Sequence, residues 1–160
     1  WLDGIGTILI GGICGLVPGL IVAAITQIIN AISLPTVLPY MIVGFAMALM
    51  GTYFSKRGFF LSFQKAVILG ILVAIVTTVM AVPIDVILFG GFMGDGNSLL
   101  AAGLMTMGLS IPVAVAVSSF TFGLVDKTLS VLVCYFIIKS MPLNFLAKLP
   151  MSDYILPSKK

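Results

Sequence analysis

Apolar residues occupy this chain in long unbroken blocks, and the polar residues fall in short clusters between them. Neither the alternation of a half-buried strand nor the one-sided stripe of a surface helix is present. The block "AVILGILVAIVTTVMAVPIDVILF" (66–89) is the clearest. As a helix it exceeds the ~30 Å of a hydrocarbon core, so we expect a span over about 64–89, with Pro83 bending its far end. "YMIVGFAMALMGTYF" predicts a second span over 40–54, entered through the Pro-punctuated loop "SLPTVLP" (33–39) and closed by "SKRG" (55–58).

The first block, Leu2 to Ile32, is longer than one crossing needs. "LVPG" near its middle predicts a tight turn between two short spans, about 3–16 and 18–32; one long, tilted, kinked helix is the alternative. After the glycine-rich break "GGFMGDGNSLL" (90–100), the runs "LLAAGLMTMG" (99–108) and "IPVAVAVSSFTFG" (111–123) are each short for a full crossing. They predict a re-entrant or interface-lying hairpin over about 99–123 on the outer face. "VDKTLSVLVCYFIIKSMP" (125–142) supplies the last span, about 125–140, and 141–160 is a polar cytoplasmic tail.

Composition narrows the class. Of 160 residues 61% are hydrophobic and 8% charged, with a mean hydropathy of +1.28. A soluble domain carries about 25% charged residues, so this chain has too little polar surface to coat a water-soluble globule. Spanning lipid requires internal satisfaction of every backbone polar group, which leaves helices or a closed barrel; the long blocks select helices. The expected fold is therefore an all-α integral membrane protein, one domain over 1–160. It is a compact bundle of five visible transmembrane helices with extracellular capping loops. The chain begins with Trp1 rather than Met, and a sixth helix ahead of it completes the expected bundle.

Charge gives the orientation. Lys56, Arg57 and Lys65 share one loop, and Lys139, Lys148, Lys159 and Lys160 follow the last span. The other face receives Asp3, Asp85, Asp95 and Asp126, with Lys127 its single basic residue. That asymmetry makes the Lys/Arg face cytoplasmic. A net charge of +3 gives no reason to expect nucleic acid.

The chemistry-bearing residues are few. The chain has no His, no nucleophile–base pair and no phosphate-binding Gly-Lys motif, so catalysis and ATP use are not expected within it. Nor is a cofactor or metal: Cys14 and Cys134 sit in apolar runs and read as small buried residues. The polar residues at the outer ends of spans are the candidates for contact with a solute: Gln27, Asn30, Tyr40, Asp85, Asn97, Asp126 and Lys127. Each has a competing structural reading. Gln27 and Asn30 can bond a neighbouring helix. Tyr40 can be an interfacial anchor, and Asp85 a solvated loop carboxylate. Asn97 or Ser98 can cap a helix beginning at Leu99, and Asp126 can cap the last span beside a snorkelling Lys127. Gly90, Gly91, Gly94, Asp95 and Gly96 form either a solvated turn or a loop that hinges over a site. Gly11, Gly15 and Gly19, four apart, let helix backbones approach, within the bundle or against a membrane partner.

The order "LDGIGTILIGG…LVPG", "PYMIVGFAMALMG…KRG", "FGGFMGDGNSLL", "VDKTLSVLVCYFIIKSMP" resembles the membrane substrate-binding (S) components of energy-coupling factor transporters, over roughly residues 2–150. The resemblance implies a six-helix bundle that binds a vitamin or related nutrient near the outer face, under extracellular loops. It implies as partners a transmembrane scaffold subunit and two cytoplasmic ATPases, with the S component toppling in a bacterial plasma membrane to release its cargo. The family's docking alanines lie on a first helix that is not seen here, so they have no counterpart, and Gly11, Gly15 and Gly19 do not replace them. Binding residues vary with the vitamin; those named above rest on position. Two other functions compete. A sensor or anchoring domain is disfavoured because "SDYILPSKK" supplies no helical linker, and a stand-alone secondary transporter lacks an internal repeat.

Overall fold

The computed structural model describes residues 2–91 and 96–156, and among these every regular element is helical. The first apolar block breaks at Gly15, two residues ahead of the turn expected between spans 3–16 and 18–32. Gly15 takes φ +98° and ψ −177°, backbone angles that a side chain resists. Helix α1 (Ile5–Cys14) therefore ends there, and α2 (Leu16–Ser33) folds back along it. Pro18 lies within the first turn of α2, where backbone N–H groups lack helical partners anyway, so it terminates nothing. The expected row of glycines is thus split between two helices and the turn joining them. A Cβ on Gly19 would stand 2.9 Å from the Cα of Gly11, and one on Gly11 would stand 2.7 Å from the carbonyl oxygen of Ala48.

A 3-10 turn (Pro35–Tyr40) leads into α3 (Met41–Lys56), and a second (Phe59–Leu61) into α4 (Phe63–Phe89). Then follow α5 (Gly96–Thr106), α6 (Ile111–Ser140) and two single-turn helices, α7 (Leu143–Leu146) and α8 (Ser152–Ile155). Four stretches are long and apolar enough to cross a membrane: Leu16–Ser33, Pro35–Lys56, Phe63–Phe89 and Ile111–Ser140. At ten residues α1 reaches about 15 Å, half a crossing. The expectation of five spans becomes four plus this half-length helix. Ile21, Ile25, Ile32, Ile42, Leu49, Ile68 and Val79 are exposed along the outside, as a surface facing lipid requires.

The largest departure is α6. The runs 111–123 and 125–140, expected as part of a hairpin and a separate span, are one continuous helix of 30 residues. Gly123 does not interrupt it because tertiary packing outweighs its modest helix penalty; α6 lies along α4 there, and a Cβ on Gly123 would meet Thr78 Oγ1 at 3.5 Å. The α4–α6 pair is antiparallel: Gly70 abuts Thr128, and Gly91 approaches Val115 and Ile111. Closest contact is at Gly70, where a Cβ would come within 2.5 Å of the Thr128 Cα.

A second correction concerns the tail. Leu146, Met151 and Ile155 are buried in the core, and the Met151 N–H bonds Ile13 O at 3.3 Å, so residues 143–155 pack under the bundle. Their apolar side chains had been outweighed, in the sequence, by the lysines around them. The core gathers at this end, joining Ile8, Ile13, Met50, Phe60, Leu69, Val73, Val131 and Ile138. Serine and threonine stitch α3 to α1 here: Thr52 Oγ1 bonds Gly11 O at 2.8 Å and Ser55 Oγ bonds Gly12 O at 2.6 Å. Phe63 packs edge-on to Tyr135, with ring centroids 6.1 Å apart, so the start of α4 and the end of α6 share this end. Lys56, Arg57, Lys65, Lys139 and Lys148 are therefore at one pole of the molecule.

Candidate functional site

At the opposite pole the helices part. α1, α2 and α3 form one packed group and α4, α5 and α6 another, and a cavity of about 460 Å³ lies between them. Its volume falls in the range of small-molecule sites. Apolar wall comes from Ala23, Val43, Met47, Ala101, Val115 and Phe122. All seven polar residues singled out from the sequence line it: Gln27, Asn30, Tyr40, Asp85, Asn97, Asp126 and Lys127.

Several reach the cavity by routes other than those expected. Asp126 and Lys127 lie at the midpoint of α6, about 20 Å from either end. Asp126 is no cap, and Lys127 does not snorkel from a helix terminus. Lys127 Nζ sits 3.0 Å from Asp3 Oδ1 and 2.7 Å from Asp126 Oδ2, with its side chain 13% exposed. The backbone N–H of Leu2 donates to Asp126 Oδ1 at 2.7 Å. This triad forms the cavity floor. An unpaired charge at such depth costs ~2.5–3.5 kcal/mol on insertion scales, and mutual pairing offsets that cost. Asp3 was read as an outer-face charge. It lines the floor, and half of its side chain is exposed.

Asp85 is likewise not a solvated loop residue. It lies within α4, is 7% exposed, and accepts a hydrogen bond from the Tyr40 hydroxyl. The Tyr40 ring stacks on Phe89, with planes 8° apart and centroids at 6.3 Å. Tyr40 is thus a cross-link between the two helix groups rather than a free interfacial anchor. Gln27 Nε2 donates to Val37 O at 2.6 Å, which ties α2 to the 3-10 turn after it and sets the amide at the cavity wall. Asn30 is exposed at the end of α2.

Asn97 does not cap a helix starting at Leu99, because α5 already begins at Gly96. Its Nδ2 donates to Ser119 Oγ at 2.9 Å, and Ser118 Oγ donates to Asn97 O at 2.6 Å and also bonds Oδ1. These bonds fasten α5 to α6 beside the cavity. Of the glycine-rich segment, Gly90 closes α4 in the left-handed conformation (φ +62°), Gly91 (φ +89°) lines the cavity, and Gly96 opens α5. Gly94 and Asp95 lie outside the described residues.

Thr7, Thr26, Thr77, Thr78 and Ser119 also line the cavity and were not singled out, and Ser98, read only as a candidate cap, lines it too. Threonine and serine give little sequence signal in an apolar helix because they satisfy themselves on their own backbone, as Thr77 Oγ1 does on Val73 O at 2.8 Å. Among the described residues no three Asp, Glu, His or Cys side chains converge as a metal site needs. The site is therefore a preformed mixed cavity with hydrogen-bonding groups on its walls and carboxylates at two levels, inside an apolar bundle. Comparison with family models, with curated proteins and with solved structures gave no match for this chain.

Proposed function

We propose that this protein captures a small water-soluble nutrient at the outer face of a cell membrane and delivers it inward as the substrate-binding component of a multi-subunit importer. The observation that carries this reading is the polar-walled cavity at the pole opposite Lys56, Arg57, Lys65, Lys139 and Lys148. An excess of Lys and Arg marks the cytoplasmic side, so a cavity at the other pole faces the cell exterior. The lining groups hydrogen-bond, accept charge and pack on apolar surface, which is what binding a nutrient from water asks of a site. They include no nucleophile–base constellation, and the energy for uptake comes in this reading from two ATPase subunits acting through a membrane scaffold. The sequence order that resembles S components of vitamin importers supports the same assignment.

The test is purification from the native membrane. The protein should co-purify with a membrane subunit and an ATPase pair, and the isolated chain should retain a small molecule without nucleotide, identifiable by mass spectrometry after denaturation. A chain that neither carries a solute nor meets ATPases is not an importer subunit. Orientation is tested separately: a cysteine placed at Gly96 should react with an impermeant reagent on intact cells. Labelling only after the membrane is opened would reverse the scheme.

A further inference from the structure

The charges on the cavity wall do not balance, and their arrangement selects a class of solute. The described lining carries three carboxylates, Asp3, Asp85 and Asp126, against one ammonium, Lys127. Lys127 does not serve as a receptor for an anion. It already contacts Asp3 at 3.0 Å and Asp126 at 2.7 Å, so engaging a solute carboxylate or phosphate would mean giving up charge-assisted bonds in a place where a bare carboxylate is costly. The three side chains of the triad sum to a formal charge of −1, and Asp3, with half its side chain exposed, is the accessible member. Asp85 adds a further carboxyl group higher in the cavity, where it accepts a hydrogen bond from Tyr40. By the α4–α6 register, which sets Thr78 against Gly123, Asp85 and Asp126 are roughly ten residues of helix, about 15 Å, apart along the axis. Carboxylates so separated do not chelate one metal ion, in keeping with the lack of a three-ligand cluster among the described residues. They do set a negative potential through a narrow space with apolar walls, where Coulomb attraction is stronger than in water.

We infer that the cavity selects a small organic cation, whose positive group is held against Asp3 at the floor while Lys127 serves as the internal counter-ion of Asp126. The apolar residues of the lining, Val43, Met47 and Phe122, receive the uncharged part of the solute. This rests on the solute-capture reading above and adds the charge class to it.

The test uses three near-isosteric probes, benzamidinium, benzamide and benzoate, in equilibrium dialysis against the detergent-purified full chain stripped of solute. The expected order is benzamidinium first, at least tenfold tighter than benzamide, with benzoate weakest. Asp3→Asn should weaken benzamidinium about tenfold or more, and so remove most of its lead over benzamide. If Asp3→Asn does not fold, Asp3→Glu replaces it: benzamidinium then keeps its lead over benzamide if the charge is the determinant and loses it if it is not. Benzoate bound as tightly as benzamidinium overturns the cation assignment and leaves solute capture standing. Unchanged benzamidinium affinity in Asp3→Asn overturns the placement at the floor. Retention of none of the three overturns solute capture at this cavity, and the charge assignment with it.

Discussion

Gly70 shows how much of this fold depends on missing atoms. A methyl group there would stand 2.5 Å from the Thr128 Cα, a backbone atom that cannot move aside without parting α4 from α6. Gly70→Ala should destabilise the protein by about 1–3 kcal/mol, the usual cost of overpacking, read as a lower unfolding temperature in detergent. Gly103→Ala is the matched control: nothing lies within 4 Å of its Cβ, and the higher helix propensity of alanine should leave α5 unchanged or stabilise it by up to ~1 kcal/mol. Equal losses in both variants would rule out close contact at Gly70. At this scale the sequence was informative where a polar residue interrupts an apolar run. Gln27, Asn30, Asp126 and Lys127 stand out against their neighbours, and all line the cavity. It was uninformative for Asp3, whose role is set by a partner 124 positions away. Thr77 and Thr78 gave no signal either, since a hydroxyl is as much at home on its own helix as on a solute.

Helix boundaries were legible where backbone chemistry alone decides them. Gly90 ends α4 where the sequence places the end, and Lys56 closes α3 within a few residues of it. The misreadings share one cause. Within α6, "FG" at 122–123 and the charges at 126–127 look like a boundary, but a helix interior tolerates them once another element supplies partners. Asp126 and Asp3 both pair with Lys127, and α4 packs along the glycine. Continuity of α6 is testable at Gly123. Gly123→Ala should be tolerated, because its nearest neighbour, Thr78 Oγ1, would be at an ordinary 3.5 Å. Gly123→Pro should cost ~3 kcal/mol or more by removing a helical hydrogen bond and crowding the preceding turn. If the chain turned at this point, the proline variant would be harmless. In the α1–α2 hairpin the same lesson runs the other way: Pro18 looks like the break, yet a proline in a first turn is compatible with a helix, and Gly15 makes the turn.

Taken whole, the molecule is two helix groups clamped by a shared apolar core at the basic pole and parted by a cavity at the other. Around the cavity the groups are joined by polar links: Tyr40 to Asp85, Lys127 to Asp3, and Leu2 N–H to Asp126. Such an arrangement should open at the cavity end before it unfolds at the core. Tyr40→Phe removes one link, and a hydrogen bond to a charged group contributes about 1.5–3 kcal/mol. Opening should therefore become about tenfold or more frequent. A cysteine at Ala81, which lines the cavity, reports this once Cys14 and Cys134 are replaced: its reaction with a small thiol reagent should accelerate by that factor in Tyr40→Phe. An unchanged rate would mean that this link does not hold the groups together. None of this clamp was visible in the sequence, because it depends on which helices meet, and contacts between distant segments leave no periodic trace along the chain.

The adjacency of Asp126 and Lys127 bears on how the protein is made. During synthesis α6 must partition into lipid carrying both charges, and each alone would oppose entry. Being neighbours in contact at 2.7 Å, they enter as a neutralised couple. The further partners of the embedded charges have by then left the ribosome: Asp3 precedes Lys127 by 124 residues, and Tyr40 precedes Asp85 by 45. The order of translation thus supplies Asp85 and Asp126 with a companion at or before the moment each enters the bilayer, whereas Asp3 gains its own only when Lys127 arrives.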